Sequence, residues 1–480
     1  MQTAAWKPSA MRCLLVLIVC MIVVPGCGRQ HENVVVVQEQ PPTGEFTMTA
    51  TTMKIRQADF DRTVYLDDLG YKRVDFNRFN VDNQGDIQKE YDAIVLENKY
   101  IKLTILPKLG KPYSFICKVT GNEEFFIPKV AHMHISPNRL GWWFMLGGVE
   151  YTMPDEEHGD TWAADWKWAV TENSSKRKAV KLKVKELRFG LEEAIDISIT
   201  PDKAYYVADL RITNPTDSVV HFQHWINPMW TPGGRGELTP NTEFIIPTKE
   251  VYVTERSFNV WMLDYHPEGK RLQPFDESPL RYLKNWKRSG DLLAWELQQG
   301  FYSAFSHEQN EGIVRVFPLE YTPGCNIWSW GAIPEAKTRF LFSGDSANTG
   351  YVEMWGGITH GFDKYFVLLP GESIAWREFM YPYHGTRGLH HATEDLAITF
   401  FKESDTDYSI SICPSGDVSG YTLRAIDKVN RNSVYEIQLR LAYPRKDQSA
   451  FTFKNPSGGD LELILLREGE EIARLEPRSL

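Results

Sequence analysis

Residues 138–158 read NRLGWWFMLGGVEYTMPDEEH, and two side chains in that stretch could do chemistry together. Arg139 stands near its start and His158 closes it, with a Gly147-Gly148 turn and a short alternating strand between them. A hairpin of this kind lets both face one cavity. Arginine is a permanent fork of donors, and histidine can donate or accept, so the pair suits a polyhydroxylated ligand. The same residues also fit a surface hairpin with an incidental arginine and a capping histidine.

Further along, the segment HFQHWIN repeats polar residues at every third position, His221, His224 and Asn227. His224 is of a suitable type to donate a proton, although such a cluster can also satisfy buried backbone groups. In YVEMWGG, Glu353 sits on an alternating strand beside Trp355. Burial there would raise its pKa and make it a better base at neutral pH. Trp328 and Trp330 in NIWSWG alternate, so both point one way, and one of them would serve as a platform for a sugar ring. His360, in the glycine-rich GGITHGFD, would line the rim. Glu320 and Glu378 are further carboxylates, with Glu378 expected in a salt bridge to an arginine. The Asp155-Glu156-Glu157 loop reads as a solvated acidic turn. No CxxC or HExxH occurs, so neither a metal site nor a cofactor is expected.

The formal net charge is -10 and no long basic run appears, which argues against nucleic acid as a partner. The chain carries 15 tryptophans and 21 tyrosines, most of them expected in cores, with some free to stack on sugar faces.

The elements that must position these residues are strands. Ile101, Leu103 and Ile105 alternate with Lys102 and Thr104; Val180, Leu182 and Val184 alternate with lysines; residues 194–199 and 205–213 keep the same period of two. Pro, Gly and Asn punctuate between them. One helix is expected over 278–287. So long an antiparallel chain must make a large sandwich or barrel, assigned to 53–391. Residues 394–480 hold about seven short strands, as in an immunoglobulin-like sandwich, read as a packing or spacer module with His390-His391 in the linker. Upstream, Arg12 precedes an apolar run from Cys13 to Val24, then Pro25-Gly26-Cys27. The run is too short to span a bilayer and suits a signal-peptide core. The small residues directly before Cys27 resemble a bacterial lipobox, which implies that residues 1–26 are a lipoprotein signal and Cys27 the lipidated residue; the polar stretch 27–52 is expected to be a flexible tether. The location implied is a bacterial cell envelope, with the membrane reached through the N-terminal lipid. The remaining cysteines, Cys117, Cys325 and Cys413, form no disulfide framework.

Several segments carry a family resemblance. IKLTILPKLGKPYSFICKVTGNEEFF resembles the opening strands of the galactose mutarotase (aldose 1-epimerase) superfamily, and most resembles an uncharacterised mutarotase-like family of bacterial proteins. NRLGWWFMLGGVEYTMPDEEHG is similar to the stretch that supplies a substrate-binding arginine and histidine, which implies those roles for Arg139 and His158. LRITNPTDSVVHFQHWINPMW is similar to the strand pair leading to the catalytic histidine, on or beside His224. YVEMWGG followed by FVLLPGESIAWREFMYP resembles the late strand bearing the catalytic glutamate, at Glu353. The fold implied is all-β, a large mutarotase-like β-supersandwich followed by the small immunoglobulin-like sandwich. Two departures stand out: Gly110-Lys111-Pro112 replaces a Gly-Gly-Arg type turn, and Gln223-His224-Trp225 replaces the Asn-His pair.

Opening a cyclic sugar hemiacetal needs a base for the anomeric hydroxyl and an acid for the ring oxygen. The expectation is Glu353 as base and His224 as acid, with Arg139, His158, Asn227, His360 and the two tryptophans on the sugar. That makes a carbohydrate-active lipoprotein, whether epimerase, lyase or hydrolase; the alternative is a non-catalytic carbohydrate-binding lipoprotein. A hydrolase would need two carboxylates, Glu353 with Glu320 or Glu378.

Overall fold

The computed structural model describes residues 45–479 apart from 83–84, 137, 156–157, 235, 237, 266–268, 277, 333–349 and 444–449. The expected signal segment, Cys27, and Glu156 and Glu157 of the acidic loop lie outside the described residues.

The protein is all-β. Period-two alternation becomes strands wherever the sequence carried it: Ile101–Leu106, Lys178–Lys185, Glu192–Ile199 and Tyr206–Thr213 all form. Three sheets build the large sandwich. An eight-stranded antiparallel sheet has Tyr206–Thr213, Ser373–His384 and Glu311–Val316 at its middle. A seven-stranded sheet runs in the order Val149–Thr152, Trp225–Trp230, Val352–Gly357, Gly324–Ser329, Gly290–Ala294, Glu250–Val253, Leu272–Pro274. A five-stranded sheet begins with Thr47–Ala58, paired with Asp86–Glu97. That first strand starts at Thr47, inside the stretch expected to be tether. One apolar core joins the sheets, with Ile195 and Ile197 from the eight-stranded sheet, Met354 and Ile327 from the seven-stranded one, and Leu103 from the five-stranded one.

The helix expected over 278–287 is instead two 3-10 turns, Pro279–Arg281 and Leu283–Asn285. Leu280, Leu283 and Trp286 are all buried. Their spacing of three matches a three-residue turn, so the tighter helix puts all of them inward where an α-helix would rotate them apart. Ser278 caps the first turn by accepting from the Leu280 N–H.

The C-terminal residues make two further sheets, one around Leu396–Lys402 and Asp407–Pro414, the other around Val418–Asp427 and Leu461–Arg467, closing on their own core. His391 opens a short strand, His391–Ala392, at the joint. Cys117, Cys325 and Cys413 are buried thiols outside any disulfide.

Candidate functional site

On the Val352–Gly357 strand, Val352 and Met354 enter the main core while Glu353 and Trp355 face away from it into a cleft. Antiparallel register then sets their neighbours. Met229 and Trp328 lie opposite Glu353, Asn326 opposite Trp355, Asp291 opposite Trp328, and Asn227 opposite Glu150. One face of the seven-stranded sheet thus collects carboxylates, amides and tryptophans, because residues two apart share a face.

A hairpin, His132–Ile135 with Trp142–Met145, forms a side wall and contributes Trp143 and His134. The loop after Val149–Thr152 carries His158 back over the sheet. Gly159 makes that return possible: its φ is +53°, and a Cβ there would sit 2.6 Å from the Met153 carbonyl oxygen. The cleft has a cavity volume of about 170 Å³ and is walled by Trp143, Trp328, Trp330 and Trp355, with His158 and Glu353 among them. Its mixture of aromatic surface with a few convergent polar groups suits a small ligand.

Two buried carboxyls on this face are driven apart. Glu150 is 3% exposed. It receives Lys111 Nζ at 3.1 Å, Trp143 Nε1 at 3.1 Å and 3.2 Å, and His158 Nδ1 at 3.1 Å. Burial alone would raise its pKa, but the Lys111 charge and the His158 contact outweigh it and hold the group at about 2. Glu353 is 4% exposed. Burial, and then the negative charge of Glu150, push it up to about 8. Trp355 Nε1 donates to it at 3.0 Å and offsets a small part of that rise. Asn227 and Tyr351 lie close enough to pull in the same direction, yet among the described residues neither the Asn227 amide nor the Tyr351 hydroxyl makes a hydrogen bond of good geometry. At neutral pH, therefore, Glu150 is a carboxylate and Glu353 a carboxylic acid.

His158 lies flat on Trp143, ring centres 4.1 Å apart, and edge-on to Trp355. Burial lowers its pKa while Glu150 draws it back up. A carboxylate only accepts, so the neutral ring carries its proton on Nδ1 toward Glu150, and Nε2 keeps its lone pair. This tautomer is assigned from the hydrogen-bond partner.

Of the residues singled out in the sequence, the cleft brings together His158, Trp328, Trp330 and Glu353, with Asn227 beside Glu353. Five others lie elsewhere. His224 does not line the cleft; its Nε2 is 2.7 Å from Glu193 Oε1, both side chains at most 1% exposed, and its ring packs edge-on against Trp376. It is an odd number of positions from Asn227, so it faces the opposite sheet, and the expected pairing with Glu353 does not form. Arg139 is held by Asp160 at 2.8 Å and Asp67 at 3.3 Å, over the Tyr71 ring, again off the cleft. His360 is exposed and its Nδ1 meets the Trp295 carbonyl at 2.6 Å. Glu378 is locked by Arg315 in a two-pronged pair at 2.6 Å and 2.7 Å, and Glu320 is exposed. Neither is available as a second cleft carboxylate.

Sequence reasoning missed Glu150, Lys111 and Trp143. Glu150 had a signal, since it alternates with Val149 and Tyr151 as Glu353 does with its neighbours. Lys111 stood at the departure noted in the Gly110-Lys111-Pro112 turn.

Comparison with solved structures finds a TPR-domain containing protein from Parabacteroides distasonis, TM-score 0.56, 18% identity, covering 70% of this chain and 56% of that one. This chain thus spans little more than half the length of that protein, and the likeness is one of fold. A galactose mutarotase-like protein from Clostridium acetobutylicum aligns with TM-score 0.44 and 10% identity over 61% of this chain and 96% of that one. A galactose mutarotase related enzyme from Lactobacillus acidophilus aligns with TM-score 0.41 and 13% identity over 61% and 97%. A family model described as a domain of unknown function (DUF5107) matches residues 72–365, which takes in every strand of the cleft face, and the chain belongs to that family.

Proposed function

We propose that the cleft binds a carbohydrate and moves protons at its ring, Glu353 serving as acid and His158 as base. The observation that carries this reading is buried Glu353 in a cleft walled by four tryptophans, with His158 of the same cleft backed at 3.1 Å by the buried Glu150 carboxylate, whose charge helps hold Glu353 protonated. Environments that push two titratable groups apart assign the acid and the base. His158 Nε2 would take the proton of an anomeric hydroxyl. The oxygen's electron pair would form the carbonyl, the bond from the anomeric carbon to the ring oxygen would break, and the Glu353 proton would pass to that ring oxygen. Glu150 orients the ring and compensates the positive charge forming on His158, while Lys111 holds Glu150 ionised. The roles are the reverse of those the sequence suggested for Glu353, because a carboxyl held near 8 is a donor at neutral pH. The reading extends to an envelope lipoprotein anchored through Cys27, which rests on the N-terminal sequence.

The test is a panel of mono- and oligosaccharides, scored for binding by calorimetry and for product by NMR of the anomeric protons. For a turned-over sugar, Glu353→Gln and His158→Gln should each lower turnover by roughly 10²–10⁴-fold while altering Kd only a few-fold. Full turnover by Glu353→Gln removes the acid assignment. Binding without any product would leave a sugar-binding protein.

A further inference from the structure

A second cavity, of about 220 Å³, lies where the large sandwich meets the C-terminal sheets. Its wall is assembled from well-separated parts of the chain. Lys249 comes from the turn before Glu250–Val253, Arg281 from the first 3-10 turn, and His390 and Arg478 from the C-terminal side. Arg478 belongs to the last short strand, which runs parallel to Leu396–Lys402, with Phe401 as its register partner.

The donors here are only partly used. Arg281 reaches the Glu243 carboxylate through Nη2 and the Asp276 carbonyl at 2.6 Å through Nη1, while its Nε is buried with no acceptor among the described residues. Arg478 Nη1 reaches the same Glu243 oxygen at 3.3 Å. His390 Nδ1 accepts the Phe400 N–H at 3.1 Å, so the proton of the neutral ring sits on Nε2. That Nε2 is also buried and meets no acceptor among the described residues. Burial and the two guanidinium groups keep the ring neutral, so its N–H is a standing donor. Two buried N–H groups from different parts of the chain, both lacking acceptors and both lining one cavity, are unusual, because buried donors are nearly always paired.

The charges leave room for an anion. Three cations, Lys249, Arg281 and Arg478, face two carboxylates, Glu243 and Asp276. Glu243 is 1% exposed and already occupied by both arginines and by His307 Nε2 at 2.8 Å. Asp276 is exposed at the rim, and its charge bears on Arg478; it is the group that an incoming anion has to compete with.

We propose that this cavity is an anion site, receiving one oxyanion group, a carboxylate, sulfate or phosphate, through Arg281 Nε–H, His390 Nε2–H and the Arg478 guanidinium. Guanidinium and imidazole N–H groups lining one cavity match an oxyanion's several acceptors. Because the donors come from both the sandwich and the C-terminal sheets, the bound anion bridges the two. The site is separate from the tryptophan cleft and does not depend on the sugar reading.

The experiment uses the full chain with histidine labelled in ¹⁵N, the His390 signal assigned by its loss in His390→Phe. Sodium sulfate, phosphate and glucuronate are titrated at constant ionic strength set with chloride, with glucose as the neutral control. A saturable shift of the His390 Nε2 signal is expected, weakened roughly tenfold by Arg478→Gln and about threefold by the exposed Lys249→Gln. A response to sulfate and phosphate alone assigns a free inorganic anion; a stronger response to glucuronate assigns an acidic sugar. No saturable shift with any of the three anions, the same shift with glucose, or a shift that Lys249→Gln and a folded Arg478→Gln both leave unaltered overturns the site.

Discussion

Glu353 ties chemistry to stability. Its folded pKa of about 8 stands above the ordinary value of 4.5. Between those pH values the folded state keeps a proton that the unfolded state has lost, so stability falls as pH rises through that window. Replacing Glu353 with Gln removes the penalty, worth roughly 3 kcal/mol at pH 7. Melting curves should therefore show the variant gaining on the parent from pH 5 to pH 8; a constant offset would mean that the carboxyl ionises normally. The same residue sets the alkaline limb of any turnover. Activity should decline as pH rises through about 8, where Glu353 loses its proton, and should also fall at low pH as His158 gains one. Glu150 has the opposite sense: held at about 2, it contributes stability above pH 4.5 that is lost only in strong acid.

At the scale of elements, the cleft is a product of strand parity. Trp328 stands opposite Glu353 and packs edge-on against Trp330, ring centres 4.6 Å apart. Trp330 is buried and Trp328 half-buried, so Trp328 is the ring that a ligand can cover. Trp328→Ala should weaken binding of a cleft ligand by about 1 kcal/mol, several-fold in Kd by calorimetry. Trp168→Ala, on the exposed strand Lys167–Asn173, should leave it unchanged. Equal effects would place the ligand elsewhere. The same parity explains the sequence-level error at His224, three positions from Asn227: the residue type was suitable but the strand turned it the other way. The error at 278–287 has a related cause, since apolar residues every third position fit an α-helix and a 3-10 turn alike.

For the whole molecule, the C-terminal sheets are docked rather than strung alongside. Tyr381, Tyr383 and Phe305 of the sandwich share one apolar cluster with Leu389, Ala397 and Cys413. Lys203 meets Asp395 at 3.1 Å, and the Ala204 N–H donates to the Ser415 carbonyl at 2.6 Å. Tyr443 packs on Tyr100, ring centres 4.5 Å apart. We therefore propose that residues 394–480 brace the sandwich. A chain ending at Ala392 should melt lower than the full protein and aggregate, with a loss on the order of several kcal/mol from the uncovered apolar surface. Unchanged melting would make the module a spacer.

Much of this was legible along the chain. Alternation in hydrophobicity is local, and it was enough to establish an all-β protein with a large sandwich and a smaller C-terminal one; residue chemistry and the family resemblance, not alternation, pointed to Glu353 and His158. Protonation states and partnerships were not legible, because they depend on which strands become neighbours. Glu150 lies about two hundred positions before Glu353, yet it raises that residue's pKa. Lys111, from another sheet, keeps Glu150 charged, and Glu193 takes His224 out of reach. Charge acts through space and falls with distance, so only the assembled sheets decided which carboxyl holds the proton.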